Sequence, residues 1–316
     1  MDRIKLPLDE NLWDALQIDD GPELEYLKSQ TGIHDPDTLK KHIMAVQAKA
    51  YEYSPYFCIR SFSFARIRIH RLPAYPAVMS LVRERPDAIM LDLGSCCTHK
   101  LGLKLLDTYR SNLVGTDIRK VAVDGYPLQN LLASDLRREF WDLGHELFQS
   151  TPGTFPVSFL AGDVFDPSFL TLASVSTSTS ASSTPSPALS NLASLTTLNG
   201  QTSILHASNF FHLFDEQKQT ELAYLLAGLL SPLPGSMIFG FHVGREKKGW
   251  RRDILCSGRQ MFCHSPESWI QLWESIFPKG TVRVEAVLQK QGEYHPSLLV
   301  SEGPDDGVMV WSCIRL

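Results

Sequence analysis

Residues Ala88–Lys100 read Ala-Ile-Met-Leu-Asp-Leu-Gly-Ser-Cys-Cys-Thr-His-Lys, an apolar run that stops at Asp92 and turns at Gly94. A buried parallel strand ending this way presents a carboxylate and exposed backbone N–H groups, from Gly94 and Ser95, at its carboxyl edge. That edge is where ligands bind in open α/β sheets. Asn112-Leu-Val-Gly-Thr-Asp117-Ile118 repeats the pattern, and Leu160-Ala-Gly162-Asp163-Val164-Phe165 gives a third acid-tipped segment. Acids at neighbouring strand tips suit a ligand with a cationic amino group and a ribose diol. Pyrophosphate would be repelled by Asp92, and the Gly-x-Gly-x-x-Gly of a dinucleotide site is missing.

S-adenosylmethionine (SAM) meets those requirements. In this reading Asp92, Gly94 and Ser95 face its methionine end, and Asp117 with Ile118 takes the ribose. Gly162, Asp163 and Val164 take the adenine, and Ser208 adds a polar contact beyond the fourth strand. On the acceptor side, His206, Ser208, Asn209, Phe210, Phe211 and His212 follow that strand, and His242 lies near the end of the fifth. A phenol or alcohol acceptor would benefit from a histidine base, so His212, His206 and His242 are the catalytic candidates. A carboxylic acid acceptor is already ionised and needs none. For His206 a satisfied core position is an equal reading, and the two phenylalanines are as readily core as ligand wall.

The elements that must position these residues show a change of rhythm. An N-terminal helix is expected from Asp35-Pro36, with Leu39, Ile43, Val46 and Ala50 on one face, and another over 75–82. Residues 1–87 thus read as a helical cap in which Tyr51, Tyr53, Tyr56 and Arg60 stand as candidates over the cofactor, with packing the commoner role. From residue 88 to 316 strands and helices alternate. Strands are expected at 88–92, 112–117, 156–161, 202–207, 235–242, 281–288 and 308–314, and helices at 98–109, 127–148, 215–229 and 265–276. This predicts an α/β, Rossmann-like, mostly parallel seven-stranded sheet, with the last two strands as an antiparallel pair and one reversed edge strand. Pro167–His212 contains no Asp, Glu, Lys or Arg, and its Ser/Thr-rich part, about 171–200, reads as a disordered insert.

The series Asp92-x-Gly94, Gly115-Thr-Asp117, Gly162-Asp163-Val-Phe and the strand Ser203–His212 resembles class I SAM-dependent methyltransferases. The helical cap and Cys-Cys-Thr-His-Lys are similar to the fungal methyltransferases of meroterpenoid and related secondary-metabolite pathways. The resemblance implies O-methylation of a polyketide-terpenoid intermediate, often at its carboxylate, with SAM as cofactor. The chain departs from Gly-x-Gly-x-Gly by carrying Cys96 and Thr98.

Composition bounds the alternatives. The 316 residues carry a net charge of −5 and are 43% hydrophobic, which suits a globular protein with a sizeable core. The one basic run, Arg245–Arg252, is too short for a nucleic-acid footprint and reads as a solvated loop or a lure for an anionic acceptor, with Trp250 able to close over an apolar one. Six cysteines without metal spacing and the absence of a leader at Met1 suggest a reduced, cytoplasmic setting; no metal, no membrane span and no nucleic acid is expected, and a homodimer is possible.

Overall fold

A computed structural model describes residues 6–15, 21–55, 57–94, 114–176, 187–253, 259–290 and 306–316. Two short N-terminal helices, α1 (Asn11–Ala15) and α2 (Pro22–Thr31), lead to the long α3 (Pro36–Tyr53). The start of α3 follows from local chemistry: the Asp35 side chain accepts from the Thr38 N–H and Pro36 fits the first turn. Its stripe of Leu39, Ile43, Val46 and Ala50 is buried as the spacing requires. After α4 (Phe57–Arg60), a second amphipathic helix, α5 (Tyr75–Glu84), delivers the chain to β1 (Ile89–Leu93).

All five residues of β1 are buried, the pattern of a parallel strand covered on both faces. The chain then runs through α6 (Thr116–Val123), β2 (Leu131–Asp135), α7 (Arg138–Leu147), β3 (Ser158–Ala161) and β4 (Thr202–His206). Next come α8 (Glu216–Leu229), β5 (Met237–Arg245), a hairpin of β6 (Gly249–Asp253) and β7 (Arg259–Cys263), α9 (Pro266–Ile276), β8 (Val282–Gln289) and β9 (Asp306–Arg315). The main sheet has the order β3-β2-β1-β4-β5-β9-β8. Its first five strands are parallel, and β9 runs antiparallel to both neighbours. The seven-stranded, Rossmann-like sheet is as expected, except that the reversed strand stands one place in from the edge.

Two apolar layers cover the sheet. Leu205, Leu222, Leu226, Trp269, Trp273 and Trp311 belong to one, and Val78, Met90, Ile118, Val121, Ile204 and Phe239 to the other. A third cluster unites the N-terminal helices with α7, through Leu39, Ile43 and Val46 against Phe140, Leu143 and Leu147.

Three expectations change. Of the expected strand at 112–117, the described residues 114–117 do not extend: Gly115, at φ +68°, caps α6, and Asp117 sits in its first turn. The second strand instead lies at Leu131–Asp135, inside the span expected to be one helix over 127–148. The expected helix at 98–109 lies outside the described residues. Within the expected insert, Leu189, Leu195 and Leu198 are buried in the main core, and the Leu195 N–H donates to the Phe169 carbonyl. That stretch packs by isolated leucines on single turns, which leave no period to read.

Candidate active site

At the carboxyl edge of β1, β2 and β3 lies a cleft lined by Leu93, Gly94, Asp135, Leu136, Gly162, Asp163, Val164, Phe165, Phe210 and Phe214. Its floor is made by backbone ties between strand ends. The Gly94 N–H donates to the Ser134 carbonyl at 3.0 Å, and the Gly162 N–H to the Asp135 carbonyl at 2.9 Å. Gly94 has φ +77°, where a side chain would be strained. Gly162 is required by contact: a Cβ there would lie 2.3 Å from the Phe169 ring.

Two carboxylates reach this cleft. Asp135 closes β2 and its Oδ1 accepts from the Arg137 N–H; Asp163 follows β3 and its Oδ1 accepts from the Phe165 N–H. These turn bonds fix each carboxylate where its strand ends. Beside them, Leu136, Val164, Phe165, Phe210 and Phe214 supply apolar walls, and Phe214 meets Phe165 and Phe210 edge to face. The donor set is acidic and apolar together, which fits a diol and an aminated ring.

The structure brings Gly94, Gly162, Asp163 and Val164 together, as expected, and leaves other candidates elsewhere. Asp117 is buried away from the cleft, where its Oδ1 accepts from the N–H groups of Arg68 at 2.7 Å and Ile69 at 3.0 Å. That carboxylate stitches the N-terminal segment to α6 and is not part of the cleft lining, apart from the ribose position expected for it. Ile118 is fully buried in the core on the α5 side. Ser95, like Cys96 and Cys97, lies outside the described residues. Asp135 lies inside the span expected to be one helix over 127–148 and closes a strand instead. Its signal was the apolar run Leu131-Leu-Ala-Ser closed by an acid, the same signature read at Asp92.

Asp92, expected at the methionine end of the cofactor, is buried and is not part of the cleft lining. Its Oδ1 accepts from His206 Nδ1 at 2.7 Å, and the Ser208 hydroxyl is 2.6 Å from His206 Nε2. Ser208 Oγ also accepts from the Phe241 N–H, so the relay ties β1, β4 and β5 together. Both members of the pair are about 1% exposed. Burial alone would lower the His206 pKa, but the hydrogen bond and charge of Asp92 outweigh it and hold it above the ordinary value. Burial likewise raises the Asp92 carboxyl, so the pair retains a proton between its two members. With both ring nitrogens engaged, His206 is a positioning residue and cannot serve as the expected base. Ser208 is committed to the same relay and is not part of the cleft lining.

His212 follows β4 and its Nδ1 accepts from the Val243 N–H at 3.3 Å. His242, on β5, accepts at Nδ1 from the Trp311 indole at 2.9 Å. Burial, together with the nearby His212 and His264, holds the His242 pKa well below the usual value. In both rings the lone pair that would take a proton already has a donor. Arg245 and Arg251 pair with Asp306, and Lys248 with Glu216, so these cations of the basic run are neutralised locally. In the N-terminal helices, the Tyr51 hydroxyl donates to the Leu6 carbonyl and Arg60 to the Pro7 carbonyl, with Asp9 beside it. Tyr53 is half exposed against Phe140, and Tyr56 lies outside the described residues.

Known proteins agree with the reading of the motifs. Residues 12–65 match the family model described as the meroterpenoid methyltransferase N-terminal domain. The chain is 29% identical over 241 residues, 76% of its length, to the O-methyltransferase phiE of a fungal species, and 28% identical over 256 residues, 80% of its length, to the O-methyltransferase atr3 of Stereocaulon alpinum. It spans 66% and 62% of the lengths of these two relatives, respectively. The methyltransferase ausD of Penicillium brasilianum is 26% identical over 318 residues, covering 96% of both chains. Among solved structures, the glycopeptide N-methyltransferase MtfA in complex with S-adenosyl-L-homocysteine aligns at a TM-score of 0.40 and 9% identity, over 76% of this chain and 89% of that one. A likeness of that degree carries no weight for the site. The chain is thus similar to fungal methyltransferases of secondary metabolism over three quarters or more of its length.

Proposed function

We propose that the protein is a SAM-dependent O-methyltransferase acting on an apolar small molecule of fungal secondary metabolism, of polyketide-terpenoid type, at a carboxylate to give a methyl ester. The reading rests above all on the cleft in which Asp135 and Asp163 stand at adjacent strand ends among apolar walls. In it Asp135 holds the ribose hydroxyls, a two-acceptor task for one carboxylate, and Asp163 with Val164 and Phe165 holds the adenine. Gly94 lets the ligand approach the backbone. The cofactor supplies an electrophilic methyl group. The protein's part is alignment and exclusion of water.

The histidines favour a carboxylate over a phenol or alcohol. His206 is locked between Asp92 and Ser208, and His212 and His242 each spend a lone pair on an N–H donor. An acceptor that must lose a proton finds no ready base among them, whereas an ionised carboxylate needs none. O-methylation, the activity in the names of phiE and atr3, is compatible with either oxygen. The division into a helical cap (1–87) and a cofactor domain (88–316), a cytoplasmic setting and a homodimer belong to the same reading; sedimentation tests the last.

Calorimetry with SAM and S-adenosylhomocysteine tests the cofactor. Incubation with SAM and a panel of carboxylated and phenolic polyketide-terpenoids, read by mass, tests the chemistry. The expected product carries an ester methyl; an ether methyl alone would reject the carboxylate route, and absence of heat with either ligand would reject the whole reading.

A further inference from the structure

Behind the Phe210 wall of the cleft, Phe211 opens a second group of rings formed by His242 on β5, His264 after β7, Trp269 and Trp273 on α9, and Trp311 on β9. The His242 and Trp269 centroids are 4.7 Å apart, those of Trp269 and His264 5.3 Å, and those of Trp269 and Trp273 5.9 Å. Trp269 and Trp273 have no exposed surface, and His242 and His264 have almost none.

The unpartnered polar atoms of this group are mostly donors. The exception is His264 Nε2, an acceptor because the Ser268 hydroxyl donates to the Ser265 carbonyl and takes the His264 Nδ1–H. An indole nitrogen only donates, so Trp311 forces His242 Nδ1 to be the acceptor of their 2.9 Å bond. The neutral ring then carries its proton on Nε2, and that N–H is buried without a partner. The indole N–H groups of Trp269 and Trp273 are also buried without partners. Unpaired buried donors are rare in native structures, and each one left unmet costs about 1–3 kcal/mol. Edge-to-face contacts, such as Trp269 on Phe211 at 87°, offset part of this through weak N–H···π attraction. Three such donors in one aromatic cluster call for lone pairs, and neutral donors beside flat walls call for them on a ring-bearing molecule.

We propose that His242, Trp269 and Trp273 form the subsite that recognises an oxygen of the methyl acceptor, a carboxylate or carbonyl oxygen carried on an apolar ring system. It rests on the proposed methyltransferase function, with the β4–β5 side of the sheet taken as the acceptor's. His242 then acts as a hydrogen-bond donor and not as a base. Arg245, Lys248 and Arg251 of the basic run are paired with acids and have no part in it.

The test follows the indole N–H resonances of Trp269 and Trp273, assigned with Trp269→Phe and Trp273→Phe, while benzoate or toluene is titrated into the full chain with and without S-adenosylhomocysteine. Benzoate is expected to shift both signals saturably and toluene to leave them in place. His242→Gln, which keeps a donor, should bind benzoate within about 3-fold of the parent, and His242→Phe about 10-fold more weakly or worse. Trp273→Phe, which removes a donor and keeps a ring, should lower the melting temperature, as a smaller core ring does, and weaken benzoate several-fold below it. His242→Gln stays near the parent, so the answer does not hang on the folding of one variant. Equal shifts by benzoate and toluene would mean an apolar slot, and signals that respond to neither and exchange only with solvent would mean an internal water site. Either result overturns the proposal. Failure of S-adenosylhomocysteine to bind would strike the methyltransferase reading instead, and the benzoate titration without it would still decide the subsite.

Discussion

The two halves of the sheet edge use polar side chains in opposite ways. On the β1–β3 side, carboxylates stand at strand ends and face a cleft, held there by bonds to their own turns, as at Asp135 and Asp163. On the β4–β5 side, the rings of His206, His212 and His242 are buried and their lone pairs are spent on protein donors. A carboxylate can serve its turn with one oxygen and a ligand with the other, because it has about four lone-pair sites. A neutral imidazole has one lone pair and one proton, so a single protein donor removes its capacity as a base. Number of lone pairs, more than residue type, separates the acids that can still accept from a ligand from the histidines that cannot act as bases.

That contrast can be broken at either end. Asp92→Asn strips the charge from the buried pair with His206 and should cost about 3 kcal/mol of stability, read by urea unfolding. Asp135→Ala should weaken S-adenosylhomocysteine about 100-fold by calorimetry, in line with loss of charge-assisted bonds. Asp117→Ala should lower the melting temperature while leaving that affinity within about 3-fold; the reverse result for these two acids would return the ribose to Asp117. Asp163→Ala, at the adenine end, should weaken the same ligand about 10-fold.

The histidine half is sharpened by pH. Burial, then the charge of Lys248, pushes the His264 pKa from 6.5 down to about 4. The unfolded chain takes up that proton and the folded chain refuses it, so stability holds above about pH 6.5 and falls as pH drops towards 4. His242, also held down, adds in the same direction. His206, shifted up, acts oppositely: its contribution is full below pH 6.5 and fades as pH rises. His264→Gln should therefore flatten the acid limb of the urea midpoint between pH 7 and 4, and an unchanged limb would refute the assignment. The smallest effect is expected at Trp250, half exposed on the hairpin, where Ala should change stability by no more than about 0.5 kcal/mol.

Much of this was legible in the chain. Helix α3 announced itself by Asp35-Pro36 and a regular stripe, and β1, β4 and β5 by apolar runs of strand length. The errors share one physical origin. Leu113-Val-Gly-Thr-Asp117 and Leu131-Leu-Ala-Ser-Asp135 both begin apolar and close on an acid, and only their neighbours decide between them. The first meets the backbone of Arg68 and Ile69, and the second pairs with β1 in register, Asp92 opposite Ala133. Those contacts are non-local, as is the choice of partner for each histidine. Local pattern located the strand ends, and tertiary contact assigned their duties.

The position of β9 has a kinetic consequence. Strand β8 touches the sheet only through β9, and β9 lies between β8 and β5, some seventy residues away along the chain. However early β8 is made, it has nowhere to dock until 306–315 has closed against 237–245. Until then β5 presents an open, apolar margin, the kind of edge on which foreign strands assemble. The slow step of folding, and the window for aggregation, should thus belong to this seam, and a change that weakens β9 pairing should lengthen both.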